Sequence, residues 1–291
     1  ALHPENPDTT THQELVEIKT KVSKAVSKHA SATLLDPQFG APYCISSNSI
    51  PGQHGLIVSL EATGYVGDAD NRVSRILPQW SVEKIKAMGA SGVKLLVYYH
   101  PDADQAQAQR DLVERVGKTC ADVDIPFFLE PLTYSLRPDG KLASQEKRQL
   151  VLQAAKHLGP LGPDVMKMEF PLNTSETPDK NLWFDACSEL SSSLEIPWVL
   201  LSAGVGFEEY LKQVTVACQA GSSGVMAGRA VWKEAVGLKE DIAQRDFLVN
   251  IGAHRMTKLS AVCNALAKPW NAFDQSEDPG PDWYDKYQAS H

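Results

Sequence analysis

The sequence predicts an α/β fold, a (β/α)₈ barrel. Three observations lead there. Short apolar runs alternate with helix-patterned segments along the whole chain. Several runs are continuous rather than alternating, as strands buried on both faces of a parallel sheet must be. At 291 residues the chain exceeds the ~250 that such a barrel needs, with no composition break to mark a second domain. A doubly wound open sheet is the alternative, but no G-x-G-x-x-G follows an early strand. One domain is expected over 1–270, followed by a polar, Pro- and Gly-containing tail at 271–291.

Each element has a local reason. Leu15, Ile18, Val22 and Val26 recur at three- and four-residue steps and make one helical stripe. The first strand follows as SATLLD (31–36), and the second is GLIVSL (55–60). Ser81 caps a helix carrying Val82, Ile85 and Met88, which Gly89 ends. GVKLLVYY (92–99) is the third strand. A helix through Leu112, Val113 and Val116 leads to the fourth, PFFLEPL (126–132). Leu150, Val151, Ala154 and Leu158 form the next helix, stopped at Gly159-Pro160. DVMKMEF (164–170) is the fifth strand. Pro178 suits the first turn of the helix in TPDKNLWFDACSEL. PWVLLSA (197–203) and SGVMAGR (223–229) are the last two strands. A helix between them carries Phe207, Tyr210, Leu211 and Val214 and ends at Ala220-Gly221. A final helical region covers about 239–267, before Pro269. Seven strands are counted, not eight, and the first helix has no strand before it. The expectation is that the missing strand lies upstream of Ala1, because an open edge leaves backbone groups unpaired.

Composition narrows the function. Hydrophobic residues make up 43% and charged residues 22%, close to a soluble globular chain. No apolar run approaches the ~18–20 residues of a membrane span. The net charge of −8 argues against a nucleic-acid backbone as partner. Five widely spaced cysteines without a C-x-x-C pair argue against a disulfide framework and against structural zinc. They fit a reducing, cytoplasmic setting, and no signal peptide is visible. The histidines show no H-E-x-x-H or H-x-x-x-H spacing, so a metal is not required, and no cofactor is expected.

The chemistry concentrates on three strands. With a period of two, Lys94 shares a face with Leu96 and Tyr98, Glu130 with Phe128 and Leu132, and Lys167 with Val165 and Glu169. If these faces point inward, two amines and two carboxylates meet in the barrel bore. A buried ammonium must be paired or neutral. One reading is an ion-pair network that holds the barrel together. The other is a Schiff-base nucleophile, Lys167, with a carboxylate that moves protons. At the ends of the last two strands, Ser202, Ala203 and Gly204, then Gly228 and Arg229, offer free backbone N–H groups and a fixed cation. That pairing suits a phosphate. Asp36 ends the first strand and could touch substrate. Glu61, Tyr98 and His100 are lesser candidates near the same mouth.

These segments, from LLDPQFG through EATGY, VKLLVYY, DIPFFLEPLTY, DVMKMEFPLN and LSAGV to AGRAVW, resemble the class I tagatose-1,6-bisphosphate aldolase family of the wider DeoC/LacD-type group. The resemblance covers most of the chain in order. It implies a (β/α)₈ barrel, no metal, an imine on Lys167, proton handling at Glu130 and a nearby Lys94. It also implies a substrate phosphate on the SAG and GR segments. Glu169 would position Lys167 or share its proton. The implied partner is a small phosphorylated sugar; a homo-oligomer is left open. WVLLSAGV…AGRAVWKEAVGL resembles the sulfofructose-phosphate aldolase branch as well. A phosphosugar-binding regulatory protein on the same scaffold is a non-catalytic alternative, and a barrel isomerase without an imine is another. Family members carry an upstream strand ending in Asp-Gln-Arg; the sequence here starts just after that place, in line with the count of seven strands.

Overall fold

The computed structural model describes residue 6, residues 9–273 and residues 280–285. Seven strands form one parallel sheet: β1 (Ala32–Leu35), β2 (Gly55–Ser59), β3 (Gly92–Tyr99), β4 (Phe127–Thr133), β5 (Val165–Met168), β6 (Trp198–Leu201) and β7 (Val225–Met226). Their spatial order is their chain order. A curled sheet of this topology, with helices alternating between strands, is the (β/α)₈ barrel plan. Among the described residues β1 pairs only with β2, and β7 only with β6. The sheet is thus open between its first and last strands. The stripe Leu15–Ile18–Val22–Val26 of α1 (His12–Val26) lines a cavity at that opening, together with residues of β1 and β7.

The two faces of each strand do different work. Val93, Leu95, Val97 and Tyr99 of β3 point outward into the main apolar core. Phe127 and Leu129 of β4, Met166 and Met168 of β5, and Trp198 and Leu200 of β6 join them there. Helices supply the opposing surface, including Leu112, Val113 and Val116 of α4 (Ala106–Asp122) and Val151, Ala154 and Leu158 of α5 (Ser144–Leu158). The alternate residues face the bore: Ile57 and Ser59, then Lys94, Leu96 and Tyr98, then Phe128, Glu130 and Leu132, then Lys167 and Val199. Burying the outer face holds the sheet, which leaves the inner face free to carry polar groups.

Local signals explain most boundaries. Thr11 and Glu14 form a capping box on α1. Ser81 accepts the Lys84 N–H at 3.3 Å and starts α3 (Val82–Ala87). Helix α6 runs from Lys180 to Ser192, two residues later than Pro178 suggests. Its cap is Asp179, whose carboxylate accepts the Asn181 N–H at 2.9 Å, and this side chain outcompetes the proline for the start. The region after α8 (Arg229–Val236) is not one regular helix. It comprises α9 (Asp241–Asp246), a π-helical segment at Phe247–Gly252 and α10 (Ala253–Leu266). Helix α2 (Ala41–Ser46) has only six residues, too few to show periodicity, and no expectation covered it. Helix α7 spans Phe207–Gln219. Much of the tail 271–291 lies outside the described residues; 3₁₀ turns occupy Trp270–Ala272 and Trp283–Asp285.

Candidate active site

A cavity of about 1610 Å³ opens through the bore and along the gap between β1 and β7. In it β3, β4 and β5 present Lys94, Glu130 and Lys167. Backbone register aligns Leu96 with Glu130, so the three side chains converge from neighbouring strands. All three are less than a tenth exposed. One carboxylate oxygen, Oε2 of Glu130, lies 2.8 Å from Lys94 Nζ and 2.9 Å from Lys167 Nζ. Lys94 also donates to Oε1 of Glu61. The result is a chain of charged groups, Glu61–Lys94–Glu130–Lys167.

Glu61 arrives from the segment between β2 and α3. That segment folds back on itself through antiparallel bridges Glu61↔Ile76 and Val66↔Val73. The Leu60 N–H donates to the Lys94 carbonyl at 2.8 Å, and the Leu96 N–H donates to Glu61 Oε2 at 3.2 Å. The carboxylate is therefore fixed against β3 on both oxygens. The period-two rule marks it: 57, 59 and 61 fall on one face, and Glu61 continues β2 by one inward step.

The shared carboxylate does not treat the two lysines alike. Burial alone would lower the Lys94 pKa, but Glu61 and Glu130 together outweigh it, and the ammonium is held above the usual lysine range. Lys167 goes the other way. Burial lowers its pKa, the neighbouring Lys94 charge adds to that, and Glu130 and Glu61 offset only part. Burial would raise the Glu130 carboxyl, but its two lysines pull it below the ordinary range. The arrangement sets one amine whose pKa is raised, one whose pKa is lowered, and one carboxylate between them.

At the other side of the mouth, Ala203 and Gly204 have positive φ of 44° and 77°. The Gly228 N–H donates to Ser202 Oγ at 3.3 Å and ties the end of β6 to the start of α8. Gly228 caps α8, and Arg229 is its first residue. The Arg229 guanidinium lies over Gly204, where an added Cβ would sit 3.3 Å from its central carbon. Lys233, one turn further on α8, donates to the Gly204 carbonyl at 3.1 Å. Among the described residues, neither cation has a carboxylate at ion-pair distance. Arg229, Lys233 and Gly228 line the same cavity as Lys167. Two cations and a helix start concentrate positive potential on this side of the cavity, a setting chemically suited to an anion.

This architecture and chemistry have known relatives. The chain matches the family model for DeoC/LacD family aldolases over residues 4–234. The chain belongs to the DeoC/LacD aldolase family. It is an aldolase, a lyase acting on carbon–carbon bonds. Tagatose 1,6-diphosphate aldolase of Staphylococcus haemolyticus is 32% identical, with 94% of this chain and 89% of that protein covered. The protein of the same name in Listeria monocytogenes is 33% identical over 90% of this chain and 83% of its own length. Among solved structures, an archaeal fructose 1,6-bisphosphate aldolase superposes with a TM-score of 0.56 at 19% identity, covering 90% of this chain and 88% of that one. Fructose-bisphosphate aldolase of Plasmodium falciparum reaches 0.64 at 15% identity, covering 89% and 84%. These structures share the fold.

Within the aldolase, the other expected residues are placed as follows. Asp36 lines the cavity, but its carboxylate is engaged locally. It accepts the Gln38 and Phe39 N–H groups at 3.0 and 2.7 Å and pairs with Lys19 of α1. Glu169 is not brought onto Lys167. It accepts both the N–H and the hydroxyl of Thr133 at 2.8 Å and so braces the end of β4. Tyr98 lines the cavity, whereas His100 turns toward a separate depression with Asp102, Arg137 and Glu146. Lys233 was not anticipated, although its four-residue spacing from Arg229, on a helix capped by Gly228, puts both on one face. Lys19 carries no such signal, because its link to Asp36 is purely tertiary.

Proposed function

We propose that the chain is a class I aldolase that reversibly cleaves a phosphorylated ketohexose such as tagatose 1,6-bisphosphate. The observation that carries this reading is Lys167, buried in the bore 2.9 Å from a Glu130 oxygen that it shares with Lys94; burial and the Lys94 charge push its pKa down. A neutral amine can attack a ketone; an ammonium cannot.

Lys167 adds to the C2 carbonyl. A C–N bond forms, and the carbonyl oxygen leaves as water, giving a protonated imine. Glu130 takes the proton of the C4 hydroxyl, directly or through water. The C3–C4 bond then breaks; its electrons pass into the imine and leave an enamine. The three-carbon aldehyde departs. Reprotonation at C3 and hydrolysis release dihydroxyacetone phosphate and regenerate the amine. Lys94 supplies fixed positive charge near the imine. Backbone at Ser202, Ala203 and Gly204, with Gly228 and Arg229, anchors one phosphate. The cysteine pattern supports a reducing, cytoplasmic location for this reaction. All five thiols are free, and Cys44, Cys120, Cys187 and Cys218 are buried.

Borohydride reduction in the presence of dihydroxyacetone phosphate tests the reading. It fixes the sugar to Lys167, and Lys167→Ala abolishes both trapping and cleavage. Trapping that persists on another lysine of the variant would move the imine elsewhere. Product assays across tagatose, fructose and sulfofructose phosphates then identify the stereochemistry and the distal anion. Retained ligand binding with no cleavage of any of them would favour the regulatory alternative.

A further inference from the structure

We propose that Glu61 decides which of the two buried lysines carries the imine. It gives Lys94 a second carboxylate, keeps that nitrogen an ammonium, and so leaves Lys167 as the one amine able to react. This rests on the aldolase reading above and goes beyond it in naming the residue that selects the nucleophile.

The geometry poses a selection problem. Lys94 and Lys167 both face the cavity, and both contact the same oxygen of Glu130 at nearly equal distance, 2.8 and 2.9 Å. Both are almost fully buried. A ketone that enters the bore therefore meets two lysines of similar setting. Glu130 cannot distinguish them, because it is shared. The difference lies in the remaining neighbours. The groups facing Lys94 are Glu61 from the segment after β2, Glu130 from β4, Lys167 from β5 and Tyr98 from its own strand. Among the carboxylates of the described residues, only Glu61 forms an ion pair with one of these lysines and not the other. Its second oxygen is held by the Leu96 N–H, so it cannot swing across to Lys167 without losing that bond.

The chemistry follows from the count of anions. Imine formation needs a lone pair on nitrogen: the amine adds to the carbonyl carbon, a C–N bond forms, and the oxygen leaves as water. Two carboxylates on Lys94 keep its three protons in place, while one shared carboxylate on Lys167 does not. Glu61 also relieves Glu130 of sole duty to Lys94, which leaves Glu130 able to accept the C4 hydroxyl proton. Glu61 need not touch substrate; it acts through Lys94 and is a positioning residue.

The test is the site of label, which a merely structural role would not move. The chain is incubated with dihydroxyacetone phosphate and borohydride over a range of pH, digested, and mapped by mass spectrometry. Wild type is expected to carry label on Lys167. Glu61→Gln keeps an oxygen for the Leu96 N–H but removes the charge. The neutral fraction of Lys94 then rises about tenfold for each unit its pKa falls, and label appears on Lys94 in a share that grows with pH. In the Lys167→Ala background, which alone traps nothing, adding Glu61→Gln restores trapping, now on Lys94. Glu61→Asp, which keeps the charge, returns the label to Lys167. Label confined to Lys167 in Glu61→Gln, with an unaltered pH dependence, overturns the proposal. A wild-type measurement stands beside the variants and needs none of them to fold: a small amine-acylating reagent should modify Lys167 before Lys94 as pH rises, and the reverse order overturns the proposal. Absence of any labelled lysine in wild type overturns the aldolase reading, and this inference with it.

Discussion

Lys167 and Lys94 show how neighbours shift identical side chains in opposite directions. Burial and the adjacent ammonium lower the Lys167 pKa, so its neutral fraction grows as pH rises through a titration point below that of an ordinary lysine. The rate of borohydride trapping should therefore climb with pH and level off earlier than for a free lysine. Glu130 supports the proton on Lys167. Its replacement in Glu130→Gln removes that support, and the rising limb should move to lower pH. In the proposed mechanism the same variant also loses the base for the C4 hydroxyl, so cleavage should slow by about 10²–10⁴-fold while substrate still binds. Single-turnover trapping and steady-state cleavage, each followed against pH, separate the two effects. Unchanged turnover in Glu130→Gln would remove the proton-transfer role.

At the scale of elements, the phosphate anchoring proposed above depends on the junctions after β6 and β7. Gly204 adopts φ +77°, and its missing Cβ leaves room for the Arg229 guanidinium. Gly204→Ala adds strain on the order of 1 kcal/mol and pushes on the cation. The expected result is a KM for a phosphorylated ketose raised about fivefold or more, with little change in trapping of unphosphorylated dihydroxyacetone. Equal loss for both ligands would place Gly204 outside phosphate binding. The same scale shows what the sequence could convey. All seven strands were legible, because continuous apolar runs such as GVKLLVYY have no other comfortable setting than a doubly covered sheet. Lys94, Glu130 and Lys167 were legible through the period of two. The ion pairing among them was only half legible: parity puts charges on one face but cannot say which carboxylate meets which amine. Parity also put Glu169 beside Lys167, yet β5 ends at Met168, and beyond it the carboxylate turns to Thr133. The π-helical segment at 247–252 has no sequence signature in the apolar spacing, and helix α2 is too short to have one.

For the whole molecule, function and stability are carried by opposite faces of the same strands. The outward residues make the core, so Leu129→Ala should cost about 2–5 kcal/mol and leave trapping at Lys167 intact. The inward residues carry charge, and their effects depend on what each removal leaves behind. Lys94→Met strands Glu61 and Glu130 with only Lys167 to answer both, and breaking a buried charge set in this way should cost about 3–5 kcal/mol. The contribution of Lys94 has a definite pH signature. Its folded pKa is raised, so its stabilisation is complete below the unfolded lysine value and is lost as pH rises through the folded one. Lys167→Met removes instead the amine whose burial is least compensated, and Glu130 keeps Lys94. That variant should be as stable as wild type or more so, by about 1 kcal/mol, though inactive. Urea unfolding of the two methionine variants at neutral pH decides the matter. If both lose stability equally, the four charges act as one symmetric network, and the division of labour between the lysines does not hold. If only Lys94→Met is weakened, the barrel holds its nucleophile at a cost that the outer core and the Glu61–Lys94 pair offset.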